Sequence, residues 1–205
     1  MNMPTTNRKR LSWEERHRQM IGVALDFVRR EGADSLTLAK VAEQAGVAKP
    51  LAYNHFKSRE GLLVELCLAF DERQRAELSR LQEDSSLDLA GLARAVCESY
   101  LECYAKSEGE WHAIYSVMRS NGEMAKIQQD LFDKHVSVLV SVFGPKTPLT
   151  GEDLRLTCIG LIGAAETISA SMTHNAVTME AAAALLTKLY VAALEPSAEA
   201  RTGSS

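Results

Sequence analysis

Much is scarce in this chain of 205 residues. Aromatic residues make up 6% of it, β-branched runs are few and Ala and Leu are abundant, which favours helices packed on helices and leaves almost no strand expected. The longest apolar stretch, Cys158 to Ala165, is broken by Glu166 and falls short of the roughly eighteen residues a membrane span needs. No secretory signal opens the chain. The four cysteines, Cys67, Cys97, Cys103 and Cys158, sit in apolar surroundings without C-x-x-C pairing, so reduced core thiols and a cytoplasmic location are expected, with no membrane partner. There is no Gly-rich phosphate loop and no nucleophile elbow, and His112, His135 and His174 lack metal-ligand spacing. No catalytic residue, no metal and no cofactor is therefore expected, and the enzyme reading is set aside. Internal repeats and low-complexity tracts are also lacking.

What is present is an uneven charge. The formal net charge is −4, yet residues 1–60 hold eleven Lys/Arg against seven Asp/Glu, and 61–205 hold twelve against twenty. A basic head on an acidic body suits polyanion binding at one end only, because repulsion keeps the body off phosphates.

Along the chain, 1–11 is polar, carries Arg8, Lys9 and Arg10, and is expected to be a disordered basic tail; an arm lying along phosphates is the alternative. Ser12-Trp13-Glu14-Glu15 has the capping-box pattern that starts a helix, and Gly32 supplies its stop. Two short helices follow, one with Leu38, Val41, Ala42 and Ala45 on a face, the other from Pro50 through Phe56, separated at Gly46. This is helix-turn-helix spacing. Ser58 is placed to cap a fourth helix running to about Gln82, and 87–106, 110–118, 123–143, 152–173 and 178–194 read as five more. The expectation is an all-α chain of nine helices: a three-helix head at 12–60, a body at 61–195 and a disordered tail at 196–205.

The stretch Thr37 to Leu62, TLAKVAEQAGVAKPLAYNHFKSREGL, compresses several demands. Ala42 must be small where two helices cross, Gly46 makes the turn, Val47 and Phe56 close a miniature core, and Lys49, Tyr53 and Lys57 stay polar for solvent or phosphate. This stretch resembles the DNA-binding head of the TetR family of repressors, over about Ser12 to Leu66. It departs at Ala48, where a capping serine is usual, at Leu51-Ala52 and at Pro50.

The resemblance implies a TetR-like homodimer that binds double-stranded operator DNA and responds to a small-molecule effector, most simply as a repressor released by it. A DNA-binding architectural or division-linked factor without an inducer is the alternative. Thr37, Lys49, Tyr53 and His55, with Lys57 and Arg59, are implied as phosphate contacts. Such contacts fix register, so base reading falls to Pro50, Leu51 and Asn54.

In the body, Gly160, Gly163, Ala164, Thr167 and Ser171 form a stripe of small residues that suits close helix approach, within the chain or between two copies. The resemblance implies a dimer seam made by the last two helices, to which Leu186, Leu189 and Tyr190 are assigned with the stripe. It also places the effector pocket among helices five to seven. Tyr100, Tyr104, Trp111, Tyr115, Met118 and Phe132 offer apolar area with polar handles there, with ordinary core packing as the other reading. Glu166, the one acid in an apolar helix, needs a cationic ligand, an ion pair at the seam or exposure to water. Helix four is expected to carry ligand binding to the heads like a pendulum.

Overall fold

The computed structural model describes residues 11–84, 86–107, 110–119, 122–173 and 177–195. The expected tails (apart from Leu11), His174 and the separators at 108–109, Asn121 and Asn175 lie outside them. Nine α-helices and one short 3-10 turn make up the described residues, which contain no strand. The helices are α1 (Trp13–Glu31), α2 (Leu38–Gln44), α3 (Lys49–Phe56), α4 (Arg59–Glu83), α5 (Leu89–Lys106), α6 (Glu110–Arg119), α7 (Gly122–Phe143), α8 (Gly151–Thr173) and α9 (Met179–Leu194). The 3-10 turn Gly144–Lys146, unforeseen from the sequence, follows α7. No described helix is long and apolar enough to cross a membrane. The chain divides into two compact units, Met1–Leu66 and Cys67–Ser205.

In the first unit, α1 opens with the full capping box. Ser12 Oγ accepts from Glu15 N at 3.1 Å and Glu15 Oε2 accepts from Ser12 N at 2.7 Å, which contributes about 1 kcal/mol to the helix start. Gly32 ends the helix at φ +80, where its N–H donates to Val28 O. Met20, Ala24, Phe27 and Val28 line the buried face of α1, as Leu38, Val41 and Ala42 line that of α2 and Ala52 and Phe56 that of α3, all nearly or fully excluded from solvent, and α2 packs on both α1 and α3. Each large side chain buried this way contributes about 1.5–3 kcal/mol. Ala42 is fully buried, and Gly46 turns the chain at φ +64.

The corner between α3 and α4 is unusual. Lys57 adopts φ 64, ψ −53, the one positive-φ non-glycine residue among those described, and Ser58 N–H donates to Phe56 O at 2.7 Å. This three-residue γ-turn is of the rare positive-φ kind and stores about 1–3 kcal/mol. Gly61 packs onto the same carbonyl: a Cβ there would run into Phe56 O. Ser58 Oγ accepts from Gly61 N at 3.1 Å and so caps α4.

In the second unit, α5 packs along α9 and α8, α8 along α9 and α7, and α6 along α7. The core joins Leu92, Val96 and Leu101 of α5, Leu139 and Phe143 of α7, Cys158 and Leu161 of α8, and Ala182, Leu186, Tyr190 and Leu194 of α9. Asp88 caps α5 through Gly91 N, and Thr178 caps α9 through Ala181 N. Thr147 Oγ1 donates to Leu194 O at 2.6 Å, satisfying a carbonyl at the end of α9.

Candidate functional site

The outer face of α3 is built by a helix with no side-chain cap. Ala48 makes none, and Pro50 is tolerated because first-turn donors have no intrahelical partner. Ala52 and Phe56 anchor the helix inward, so Lys49, Pro50, Tyr53 and Asn54 point outward, with Leu51 half-buried beside them. Tyr53 keeps 49% of its surface exposed, far more than a packed tyrosine does.

Other residues implied as DNA contacts are already engaged within the chain. Thr37 Oγ1 accepts from Lys40 N and caps α2, and Lys57 Nζ donates to Asn54 O at 2.9 Å. Arg59 reaches back to the α1–α2 connection: Nε donates to Leu36 O, and a terminal nitrogen donates to Ala33 O at 2.9 Å and Asp34 O at 3.3 Å. Its fork is a brace across the head.

His55 turns away from the outward face. Its ring stacks on Trp13 at 3.5 Å between centroids and touches Phe56, its Nδ1 lies 3.4 Å from His17 Nδ1, and its Nε2 is buried without a hydrogen-bond partner. Burial, with the nearby His17, Arg16 and Lys57 charges, holds its pKa below the ordinary 6.5. The folded head therefore takes up a proton less readily than the unfolded chain. The stability this gives is present above the ordinary histidine range and is lost as pH falls through the depressed value. Acidification from pH about 7 to about 5 lowers the thermal midpoint more steeply in the native chain than in His55→Phe, which keeps the stack and removes the titration. Parallel pH profiles in thermal melts would contradict this assignment.

The body holds a cavity among α4, α5, α6, α7 and α8, with free space of about 40 Å³. Five residues expected at the pocket line it: Tyr100, Trp111, Tyr115, Phe132 and Glu166. Two do not. Met118 is fully buried, its thioether 2.8 Å from Cys67 Sγ, and Tyr104 is in the core edge-on to His112. Phe70 stacks on Trp111 at 3.9 Å, and Tyr115 leans on Trp111 at 4.2 Å, so three rings form one wall. An outer cleft of about 300 Å³ shares Tyr115, Phe132 and Glu166 with the cavity and adds Arg119 and Gln128. Glu166 stands where the two spaces meet.

Sequence reasoning missed the polar residues Asp71, Gln74 and His135, which also line the cavity. The signal for two of them was there: Asp71 and Gln74 interrupt the stripe running through Phe70 and Leu78 at helical spacing. Asp71 pairs with Arg75 Nε at 2.8 Å, whereas Gln74 Nε2 is buried with no hydrogen-bond partner. Burial lowers the His135 pKa, with Asp71 pulling the other way. It also raises the Glu166 carboxyl, with Arg119 pulling the other way, and raises the hydroxyls of Tyr100 and Tyr115. No group of three or more His, Cys, Asp or Glu among the described residues is arranged to hold a metal.

The residues assigned to a dimer seam separate into two sets. Gly160, Gly163 and Thr167 are exposed on α8, with Ala164 and Ser171 partly so, and Leu189 is exposed on α9. Leu186 and Tyr190 belong instead to the chain's own core, Leu186 fully buried and Tyr190 edge-on to Phe143, because α9 turns that face toward α5. Leu156 and Leu185 are also exposed, at 55% and 49%, on the same two helices.

Known proteins match this chain most clearly at the head. Residues 21–66 match the family described as Bacterial regulatory proteins, tetR family. The tetracycline repressor protein class A from transposon 1721 of Escherichia coli is 35% identical over 83 residues, 40% of this chain and 38% of that protein. The chain thus spans between a third and two fifths of the length of the curated relatives it matches. Among solved structures, a TetR-like transcriptional regulator from Rhodococcus sp. RHA1 superposes with TM-score 0.70 at 23% identity, covering 90% of this chain and 98% of that one. The regulator FadR of Bacillus subtilis, solved in complex with stearoyl-CoA, gives 0.68 at 19%, covering 87% and 97%. At those identities the likeness is one of fold. Over residues 21–66, the head of the chain is similar to the tetR family of bacterial regulatory proteins.

Proposed function

We propose that this chain is a cytoplasmic, homodimeric regulator that binds double-stranded operator DNA through α3 and is released from it by a small molecule held in the body. The observation that carries this reading is the outward face of α3, where Lys49, Pro50, Tyr53 and Asn54 are exposed on a helix-turn-helix whose other faces are packed. Lys49 and Tyr53 take phosphates, Asn54 reads a base edge, and Leu51 touches a thymine methyl.

Lys49→Ala removes one phosphate contact per head, two per dimer. It is expected to lower DNA affinity roughly 10- to 100-fold near 0.1 M salt for every sequence, and to flatten the log–log salt slope by about 2. Tyr53→Ala acts in the same direction. Asn54→Ala instead changes which sites are preferred, by about 1–3 kcal/mol at one base pair. Unchanged binding of genomic fragments in all three variants would defeat the assignment of α3.

Two copies are needed because recognition helices meet successive major-groove faces about 34–36 Å apart. The exposed stripe Leu156, Gly160, Gly163 and Thr167 on α8, with Leu185 and Leu189 on α9, supports a seam between copies. A Cβ added at Gly160 or Gly163 would meet nothing within 4 Å, so nothing in the chain's own packing requires glycine there. Small residues with no crowding neighbour inside the chain suit an approach from outside it.

Ligand and DNA then oppose each other reciprocally, typically by 1–3 kcal/mol. The narrow cavity, with about 40 Å³ of free space, favours a second reading in which the body holds no effector and the chain is an architectural DNA-binding factor. Thermal stabilisation by a small molecule separates the two readings, since only a ligand bound to the native state raises the midpoint.

A further inference from the structure

Resting on the reading of the body as an effector site, we propose that the cavity and the larger cleft adjoining it at Glu166 together take an organic cation, with the Phe70–Trp111–Tyr115 wall against the positive head and Glu166 as its counter-charge. The residues lining the inner cavity include two carboxylates and neither lysine nor arginine. One of the two, Asp71, is neutralised by Arg75. The other, Glu166, makes no ion pair with any described residue and stands between the cavity and the cleft, whose one lining cation is Arg119. A half-buried carboxylate beside three packed rings, two of them stacked, is the combination that draws quaternary and aromatic ammonium groups, because the ring faces and the carboxylate attract the same charge. The buried Gln74 Nε2 adds an unmet donor for an acceptor atom on the ligand. An anionic head, such as the carboxylate of a fatty acid, would meet Glu166 with no inner cation to balance it.

The groups facing Glu166 keep the prediction simple. Burial raises the hydroxyls of Tyr100 and Tyr115 and lowers the His135 ring, with Asp71 opposing the last; Asp71 itself pairs with Arg75, and Arg119 faces Glu166 across the cleft. Cation affinity therefore falls as acid protonates the raised Glu166 carboxyl, while a neutral ligand of the same shape is unaffected.

The test is calorimetric titration of the full chain with decyltrimethylammonium and decanoate below their micelle concentrations and decanol below its solubility limit. The ammonium is expected to bind at least about tenfold more tightly than decanoate, and Glu166→Gln to lose about tenfold for the ammonium while leaving decanol unchanged. Glu166→Asp recovers part of the loss. Folding of the Gln variant is checked by its thermal midpoint at neutral pH, expected at or above that of the native chain because burial already disfavours the charge. Decanoate binding as tightly as the ammonium, no binding of the ammonium, or an ammonium affinity indifferent to Glu166→Gln would each overturn the proposal. Ligand control of DNA binding is tested separately: ammonium that binds without altering DNA affinity leaves the cavity assignment standing and defeats release instead.

Discussion

Arg59→Ala is expected to lower the unfolding free energy of the chain's first unit by about 3 kcal/mol, since bonds from a charged donor contribute about 1.5–3 kcal/mol each and two of the three here are well formed. The guanidinium ties the start of α4 to three carbonyls between α1 and α2, so its loss frees that connection as well as orphaning the acceptors. Arg59→Lys does not rescue the head, because an ammonium cannot span Leu36 O and Ala33 O as the planar fork does. Denaturant titration measures the effect. DNA binding distinguishes this brace from a phosphate contact: the salt slope stays unchanged for a brace and falls by about 2 per dimer for a contact. A normal denaturation midpoint with a flattened slope would reverse the assignment.

The second large effect concerns the two-copy assembly. Gly163→Glu or Leu189→Glu places a carboxylate on the exposed stripe of α8 and α9, where the twofold seam proposed above would bring each copy's residue near its mate's equivalent surface. Like charges in a desolvated seam repel, and neither finds a partner. The dimer is expected to dissociate at micromolar concentration, with DNA affinity falling at least about 100-fold as the second head is lost. Sedimentation velocity and DNA titration give the two readouts. Because Lys49→Ala and Tyr53→Ala leave the seam untouched, they stay dimeric while losing affinity. A Leu189→Glu variant that remains a dimer with full DNA affinity would exclude this face as the seam.

How far the sequence revealed these features depended on how local their causes are. Ser12, Gly32, Gly46 and Ser58 set helix ends by bonds within a few residues, so their roles could be read in order along the chain. The roles of Arg59 and His55 could not, because their partners lie far away in sequence: Leu36 and Ala33 for one, Trp13 and His17 for the other. Motif position placed both side chains toward DNA; packing turned one into a brace and the other into a stacked ring. Helix α9 shows a different limit. It is apolar on most of its surface, so periodicity alone does not say whether 182, 186, 190 and 194 or 185 and 189 face inward. The first set does, against α5, which puts Leu186 and Tyr190 in the chain's own core. The cavity was half legible: its aromatics announce themselves by type, whereas Asp71, Gln74 and His135 look like ordinary polar residues until α4 and α7 are placed around the same space.

The open surroundings of Gly160 and Gly163 separate two kinds of constraint that usually coincide. Alanine at either position adds a methyl group into empty space and removes some backbone freedom from the unfolded chain, so a survey of protein abundance or melting would score the change as harmless or beneficial. A survey of promoter occupancy would score the same allele by how closely two molecules must approach. Positions where those surveys disagree would trace the contact surface proposed on α8 residue by residue, without any image of the assembled pair.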